Sequence, residues 1–273
     1  SHGAKYLNEK GERFMDKYQN KELENRDILS REMFFQKEIY LDIEHCDKDF
    51  IKEECDDLYD NYIKNKKEPI KVAPVAHFMM GGIKINADTS TDVKGLFCCG
   101  EVVGGLHGAN RLAGHALSET AVFGYIAGEE AARYSESKTN CMSYIKEDIV
   151  EWIPDIGEDN TKSIKNILRK TMWDYVGIVR NEVGLHRAKD QMEELSQQMQ
   201  RLKPSKLRDW IECENMIETS KMIITSCLLR KESRGAHYRS DFPEEDANWQ
   251  GNIIIQKGEP VFHRIDALSG FEK

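Results

Sequence analysis

The chain has 273 residues, of which 40% are hydrophobic and 32% are charged, and its formal net charge is −9. That length suffices for one large core or for a few smaller units. The negative charge argues against nucleic acid as the main partner. No apolar run is long enough to span a membrane and no secretory signal is visible, so we expect a cytoplasmic protein.

The seven cysteines predict neither a disulfide framework nor a metal site. Their number is odd, their density is low, and no two of them form a Cys-x-x-Cys pair. We therefore expect free thiols in a reducing compartment, with Cys98 and Cys99 packed as small hydrophobes in an apolar strand.

Short elements of mixed type are predicted for residues 1–70. Residues 39–43 alternate as a strand does, and residues 48–65 carry a helical pattern. Another helix is predicted to begin at Asn25–Asp27, with Arg26 in its first turn. An arginine at a helix start opposes the helix dipole. Arg26 therefore either forms a surface ion pair or is there for a functional reason.

Residues 70–76 are predicted to be extended, because Pro74 disfavours a helical conformation of the residue before it. His77 follows directly and is either structural or ligand-binding. It precedes Gly81-Gly82, where missing side chains allow a backbone to lie close to a ligand. Residues 93–99 are apolar enough to predict a buried strand.

Glu101 stands at the carboxyl end of that predicted strand, where ligands bind in open α/β sheets. A carboxylate suits a ribose diol because it accepts two hydrogen bonds. A glycine-rich loop then leads to Arg111, whose planar fork suits a carboxylate. The helix predicted over residues 113–133 is rich in Ala and Gly, and its N-terminus favours an anion.

The C-terminal part is predicted to form three long antiparallel helices. Their apolar seam comprises Ala188, Met192, Leu195, Met199, Leu202, Trp210, Cys213, Ile217, Ile224 and Cys227. Residues 230–239 collect arginines and a lysine, which indicates either a solvated helix end or a surface facing another domain. After Pro243 we expect a loop and one short strand, residues 252–256.

Seven motifs together carry a family resemblance. They are GERFM at 11–15, RDILSR at 26–31, HFMMGG at 77–82, GLFCCGE at 95–101, HGANRLAGHAL at 107–117, MWDYVGIVR at 172–180 and RKESRGAHYRSDFP at 230–243. In this order they resemble the flavoprotein family of succinate dehydrogenase, fumarate reductase and L-aspartate oxidase, over nearly the whole chain.

The resemblance implies FAD as cofactor. Glu101 matches the family residue on the FAD ribose, and Ala116 and Leu117 match positions whose backbone contacts the flavin. The family usually has Asn or Ser near there, so His115 and Ala116 depart from its pattern.

The resemblance also implies a C4 dicarboxylate, or its amino analogue L-aspartate, as substrate. His77 and Arg111 match the residues that bind the substrate carboxylates. Arg26 matches the arginine that exchanges a proton with the substrate. An iron–sulfur subunit is a further partner that the resemblance suggests.

The G-x-G-x-x-G segment with which the family begins does not occur here. The chain therefore resembles the C-terminal half of such a flavoprotein, and we expect it to be inactive alone. The implied fold class is α+β: the end of a capping domain (1–70), part of an FAD-binding α/β domain (71–135) and a helical domain with an antiparallel three-helix bundle (136–273).

Two alternatives to a fumarate reductase or succinate dehydrogenase type protein remain. The segment at 172–180 favours L-aspartate oxidase, which oxidises L-aspartate to iminoaspartate. The second alternative is a cofactor-free module that docks an iron–sulfur subunit through residues 230–239.

Overall fold

The computed structural model describes residues 3–65, 70–137 and 154–265. They fall into two units that divide after His77, and each is described by itself. The predicted helical domain spans residues 136–273, and its residues 138–153 and 266–273 lie outside the described residues. Among the described residues, no helix is long and apolar enough to cross a membrane.

The first unit is built on a small antiparallel sheet with the strand order β1-β2-β3. Its elements are β1 (Lys5–Asn8), α1 (Arg26–Phe34), β2 (Ile39–Asp42), α2 (Lys48–Glu54), α3 (Asp56–Leu58) with a π-helical extension (Tyr59–Lys64), and β3 (Ile70–Val72). The core of this unit includes Met15, Met33, Ile39, Ile51 and Ile70, all of them buried. The predicted helix start at Asn25–Asp27 and the strand at 39–43 are confirmed.

The helix predicted over residues 48–65 is interrupted. Asp47 caps α2 by accepting hydrogen bonds from the backbone N–H groups of Asp49 and Phe50. Cys55 then takes a non-helical conformation, with φ −147° and ψ 62°. Asp56 follows it, and an acidic residue in a first turn favours a new helix start because it complements the helix dipole.

In the second unit, the prediction of a buried strand at Val93–Cys99 is wrong. Gly95 has a φ of +83°, and Leu96 donates its N–H to the Val93 carbonyl, which closes a turn in the middle of the segment. The left-handed conformation suits glycine and breaks a strand. Val93 is consequently exposed, whereas Cys98 is buried.

Helix α4 (His115–Glu136) contacts a short 3₁₀ turn, Gly100–Val102. Glu119 and Ala127 are its buried residues, whereas Leu117 and Tyr125 are exposed. The predicted packing of this helix on a sheet stays a prediction.

Three further helices share one core: α5 (Lys162–Val176), α6 (Glu182–Arg201) and α7 (Leu207–Leu229). The predicted seam positions are confirmed, because Leu202 packs against this core and the others belong to it. An apolar residue every three or four positions places one continuous stripe on a helix, and burial of that stripe joins the three.

The C-terminal segment differs from its prediction in two respects. A second strand is present, so that β4 (Gly251–Gln256) and β5 (Glu259–Arg264) form an antiparallel hairpin. Its turn, Lys257-Gly258, has positive φ at both residues, the conformation that two-residue hairpin turns favour. Residues 230–239 are no solvated helix end either, since Glu232 and Arg239 are fully buried.

Candidate functional site

Arg111 is the best-defined member of the candidate site. Its backbone N–H donates to Met80 Sδ at 3.0 Å, and its guanidinium Cζ lies 4.4 Å from the centroid of the Phe78 ring. Nη1 donates to the Leu112 carbonyl at 3.4 Å. Nε is buried and has no acceptor within the described part of the chain. The side chain is therefore oriented by its neighbours and keeps a buried donor for a ligand.

The ring of Phe78 joins Arg111 to His107. The Phe78 and His107 rings meet edge to face, with centroids 5.3 Å apart and an interplanar angle of 76°. A cation over an aromatic face is attracted by the ring quadrupole. The residue after His77 thus fixes the direction of the Arg111 side chain, which a sequence pattern alone did not indicate.

Glu101 lies in the turn Gly100–Val102 and is exposed. Its Oε1 accepts a hydrogen bond from the Met79 backbone N–H at 2.8 Å. A carboxylate has further lone pairs, so this bond leaves Glu101 able to accept from a ligand hydroxyl. The bond also fastens the segment after His77 to the turn that carries Glu101.

Two glycines near Glu101, Gly82 and Gly104, allow two backbone segments to lie close together. A Cβ on Gly82 would lie 2.2 Å from the Val102 carbonyl oxygen, and one on Gly104 would lie 2.6 Å from the Gly82 nitrogen. Ile83 also donates its N–H to the Val102 carbonyl at 2.8 Å. Gly82 therefore admits a neighbouring backbone, whereas Gly81, predicted with it to admit a ligand, faces open space.

Glu119 is a buried carboxylate that sequence reasoning missed. Its Oε1 accepts from the Gly100 backbone N–H at 3.0 Å, and its Oε2 is buried without a partner among the described residues. Its available signal was that it is the first acidic residue in α4, which begins His115-Ala116-Leu117-Ser118. Because Glu119 holds Gly100, it also positions Glu101.

The start of α4 offers uncapped backbone donors. Its N-cap is Gly114, with φ +82° and no side-chain cap, so the first-turn N–H groups near Ala116 and Leu117 lack a capping acceptor. A Cβ on Gly114, Gly105 or Gly100 would meet nothing within 4 Å. An open glycine face beside free N–H groups suits a flat, electron-rich ligand.

The remaining predicted residues lie in the first unit. Arg26 is the first residue of α1 and is exposed, and within the described residues it forms no ion pair, contrary to the surface ion pair considered for it. His77 is exposed and lies after β3 at the end of the unit, in a segment without helix or strand. The convergence of both with Arg111 stays a prediction. No His, Cys, Asp and Glu cluster suited to a metal ion occurs within residues 3–65, 70–137 and 154–265.

Comparison with known proteins assigns both parts of the chain. Residues 1–117 match the FAD binding domain family, and residues 165–265 match the family of the fumarate reductase flavoprotein C-terminus. The chain belongs to the flavoprotein family of succinate dehydrogenase, fumarate reductase and L-aspartate oxidase. FAD is accordingly its cofactor, and the uncapped donors at the start of α4 fit that group.

Relatives within this flavoprotein family are similar along almost the whole chain. A fumarate reductase (CoM/CoB) subunit from Methanothermobacter marburgensis is 37% identical, over 95% of this chain and 52% of its own length. L-Aspartate oxidase from Acinetobacter baylyi is 37% identical, over 89% of this chain and 47% of its own length. The chain thus spans about half the length of the curated relatives it matches.

Solved flavoproteins of the family share the fold. FrdA of E. coli quinol fumarate reductase superposes with a TM-score of 0.85 at 25% sequence identity, over 98% of this chain and 55% of that chain. The mixed helix and strand architecture described above is therefore that of the family.

Proposed function

We propose that this chain is the C-terminal half of an FAD-dependent oxidoreductase that interconverts a C4 dicarboxylate pair, such as succinate and fumarate. The observation that carries the proposal is the state of Arg111, whose guanidinium lies over Phe78 with a buried Nε–H free to donate. Orientation against an aromatic ring suits a fork that must grip a carboxylate at one angle.

In the proposed site, residues of the second unit hold the cofactor. Glu101 accepts hydrogen bonds from the ribose hydroxyls, while Glu119 keeps the Glu101 turn in place through Gly100. The backbone N–H groups of Ala116 and Leu117 donate to the flavin ring, and the partial positive charge of the helix start stabilises negative charge there. The chemistry that bound FAD supplies is hydride acceptance and delivery at N5.

Substrate binding is assigned to one guanidinium and one imidazole. Arg111 pairs with one carboxylate of the dicarboxylate through two parallel hydrogen bonds, and His77 binds the other. When both carboxylates are held, the carbon–carbon bond between them is oriented as well. Much of the entropic cost of orienting the substrate is then met when it binds and no longer adds to the barrier of the reaction.

The proton transfer is assigned to Arg26, which holds the proton exchanged at the substrate carbon. Arginine has a pKa above about 12 and is a poor acid in water. The role therefore requires a relay partner, and Asp27, the next residue in the first turn of α1, is the candidate.

We further infer the arrangement of the complete protein. Residues 1–70 end a capping domain, residues 71–135 complete the FAD-binding domain, and residues 136–273 form a helical domain in which α5, α6 and α7 are an antiparallel bundle. A soluble protein in the cytoplasm that passes electrons to or from an iron–sulfur subunit fits this arrangement.

The test uses the complete flavoprotein that carries this chain, loaded with FAD. We expect it to interconvert succinate and fumarate with an artificial electron carrier. Arg111→Lys replaces the planar fork by a point charge, so kcat/KM should fall roughly a hundredfold. Arg133→Lys, an exposed position on α4, is the matched control and should leave the rate unchanged.

Oxidation of L-aspartate with no turnover of succinate or fumarate would overturn the proposed substrate and establish the aspartate oxidase alternative. A complete protein that retains no FAD would instead support the docking module. Equal losses in Arg111→Lys and Arg133→Lys would remove Arg111 from the substrate site.

A further inference from the structure

A tight hairpin after α7 contacts the loop that carries Arg111. Arg234 and His237 pair through two backbone hydrogen bonds, of 2.8 and 3.0 Å, which makes Gly235 and Ala236 the hairpin tip. The Ala236 N–H donates to the Ala109 carbonyl at 3.1 Å. Ala109 lies two residues before Arg111, so the tip touches the backbone next to the candidate site.

The fit of the tip against Ala109 leaves room only for glycine at position 235. Gly235 has a φ of +55°, and a Cβ built there would lie 2.4 Å from the Ala109 carbonyl oxygen and 2.6 Å from its carbon. Both atoms belong to the backbone, which cannot swing aside as the end of a side chain can. The contact is therefore part of the fold and not an incidental touch.

The base of the hairpin is anchored by ion pairs that each include one fully buried residue. Arg239 is fully buried, donates to both Asp241 oxygens at 2.7 Å, and donates to the Cys227 carbonyl of α7 at 2.6 Å. Glu232 is also fully buried and accepts from Arg234 at 2.9 Å. Satisfied buried charges of this kind hold one geometry, because each partner is costly to leave unpaired.

Arg180 ties the same hairpin to the link between α5 and α6. Its backbone N–H donates to the Tyr238 carbonyl at 3.1 Å, and its Nη1 lies 3.0 Å from His237 Nδ1. Its Nε donates to the Val176 carbonyl at the end of α5. The hairpin is thus fixed to the helices on one side and meets Ala109 on the other.

We propose that the hairpin Arg234–His237 is a positioning element for Arg111. The backbone on one side of Asn110 is held at the Ala109 carbonyl by the hairpin tip, and on the other side at the Arg111 N–H by Met80 Sδ. Two such anchors fix where the guanidinium lies relative to a bound carboxylate. This inference rests on the substrate role assigned to Arg111 above.

Positioning by the hairpin makes substrate binding and hairpin order energetically coupled. A dicarboxylate that requires the anchored form of the loop stabilises the hairpin contact, and by linkage the contact strengthens dicarboxylate binding by the same factor. The helical part of the chain thereby affects substrate affinity although it supplies no group to the substrate.

The variant that tests the contact is Gly235→Ala in the complete, FAD-loaded flavoprotein. Its matched control is Gly258→Ala, since Gly258 also has a positive φ, +84°, but a Cβ there meets nothing within 4 Å. Both variants bear the strain of alanine at positive φ. Only Gly235→Ala pushes the hairpin from Ala109, so only it should weaken succinate binding, by roughly tenfold.

Two readouts separate positioning from general destabilisation. Succinate affinity is titrated through the flavin absorbance change, and amide hydrogen exchange is followed over residues 105–113. We expect faster exchange of that loop in Gly235→Ala than in Gly258→Ala, and a rise in KM larger than the fall in kcat. Equal affinity and equal loop exchange in the two variants would overturn the proposal.

The unmodified protein supplies an independent measurement if Gly235→Ala does not fold. Saturating succinate should slow amide exchange in residues 234–238 as well as in the Arg111 loop. Protection of the loop without protection of the hairpin contradicts the coupling. If the unmodified protein binds no dicarboxylate, the proposed function fails, while the loop exchange of the two glycine variants still decides the contact.

Discussion

The guanidinium of Arg111 lies over the ring of Phe78, with 4.4 Å between Cζ and the ring centroid. Phe78 directly follows His77, the other residue assigned to a substrate carboxylate. Phe78 and Arg111 both lie in the second unit, so the ring orients the guanidinium within that unit.

Phe78→Leu should weaken dicarboxylate binding while preserving the fold. Leucine fills much of the space but removes the attraction between the ring and the guanidinium, which is worth about 0.5–2 kcal/mol. Succinate affinity, titrated through the flavin absorbance, should therefore fall by roughly 2- to 30-fold. Phe78→Tyr keeps the ring and should bind normally, and a loss of affinity in Tyr as large as in Leu would contradict the assignment.

Glu119→Ala should loosen the turn that carries Glu101. The Gly100 N–H would lose its acceptor, and an unsatisfied partly buried donor costs about 1–3 kcal/mol. We expect a lower thermal midpoint and a faster loss of FAD on dilution. Glu129→Ala, at an exposed position on the same helix, should change neither; an identical shift in both variants would exclude a specific role.

Asp241→Asn should destabilise the hairpin base strongly. Hydrogen bonding to Arg239 lowers the pKa of Asp241 to about 2, so the aspartate is ionised at neutral pH and pairs with a fully buried guanidinium. Removing the negative charge leaves the buried Arg239 guanidinium without its carboxylate, which costs about 1–3 kcal/mol because Asp241 itself is partly exposed. Urea unfolding at pH 7 measures the loss, with Asp174→Asn at a surface pair as control. Similar losses in the two variants would rule out the buried pair as an anchor.

His237 should make stability depend on mildly acidic pH. Burial, followed by the charges of Arg180, Arg230 and Arg239, lowers the pKa of His237 to about 4. The pKa of an unfolded histidine is about 6.5, so the unfolded state binds a proton before the folded state does as the pH falls. The stability contribution is therefore present above pH 6.5 and is lost as the pH falls toward 4. Urea midpoints measured between pH 7 and pH 4 should fall less steeply in His237→Gln. Parallel profiles would show that His237 does not titrate in this way.

Local patterns predicted some elements well because the relevant physics is local. The seam from Ala188 to Cys227 follows from helical spacing, and α1 begins at the expected position although the Asn25 side chain makes no capping hydrogen bond. The strand predicted at Val93–Cys99 is replaced by a turn at Gly95. The neighbours of a glycine in the sequence do not decide whether it turns the chain.

The candidate site was predictable only in part. Arg111 and Glu101 carried recognisable chemistry, whereas Phe78, Glu119 and Gly235 act through partners at least 19 residues away, as the bond from Gly100 to Glu119 illustrates. A phenylalanine or a glycine has no chemical signal of its own. Its role appears only when the fold brings its partner into contact.

The backbone segments at Gly82 and Gly104 lie in close contact, which fixes the chain on both sides of the residues between them. Ile83 is bonded to Val102 and to Gly104, so residues 84–99 leave and return at a fixed crossing. Within this stretch Thr89 and Cys98 are buried, whereas the turn at residues 92–94 is exposed. Closure entropy grows only slowly with loop length, so that exposed turn can lengthen or shorten at low entropic cost. Insertions and deletions among related flavoproteins should therefore concentrate in that turn, while Glu101 and Arg111 keep their spacing.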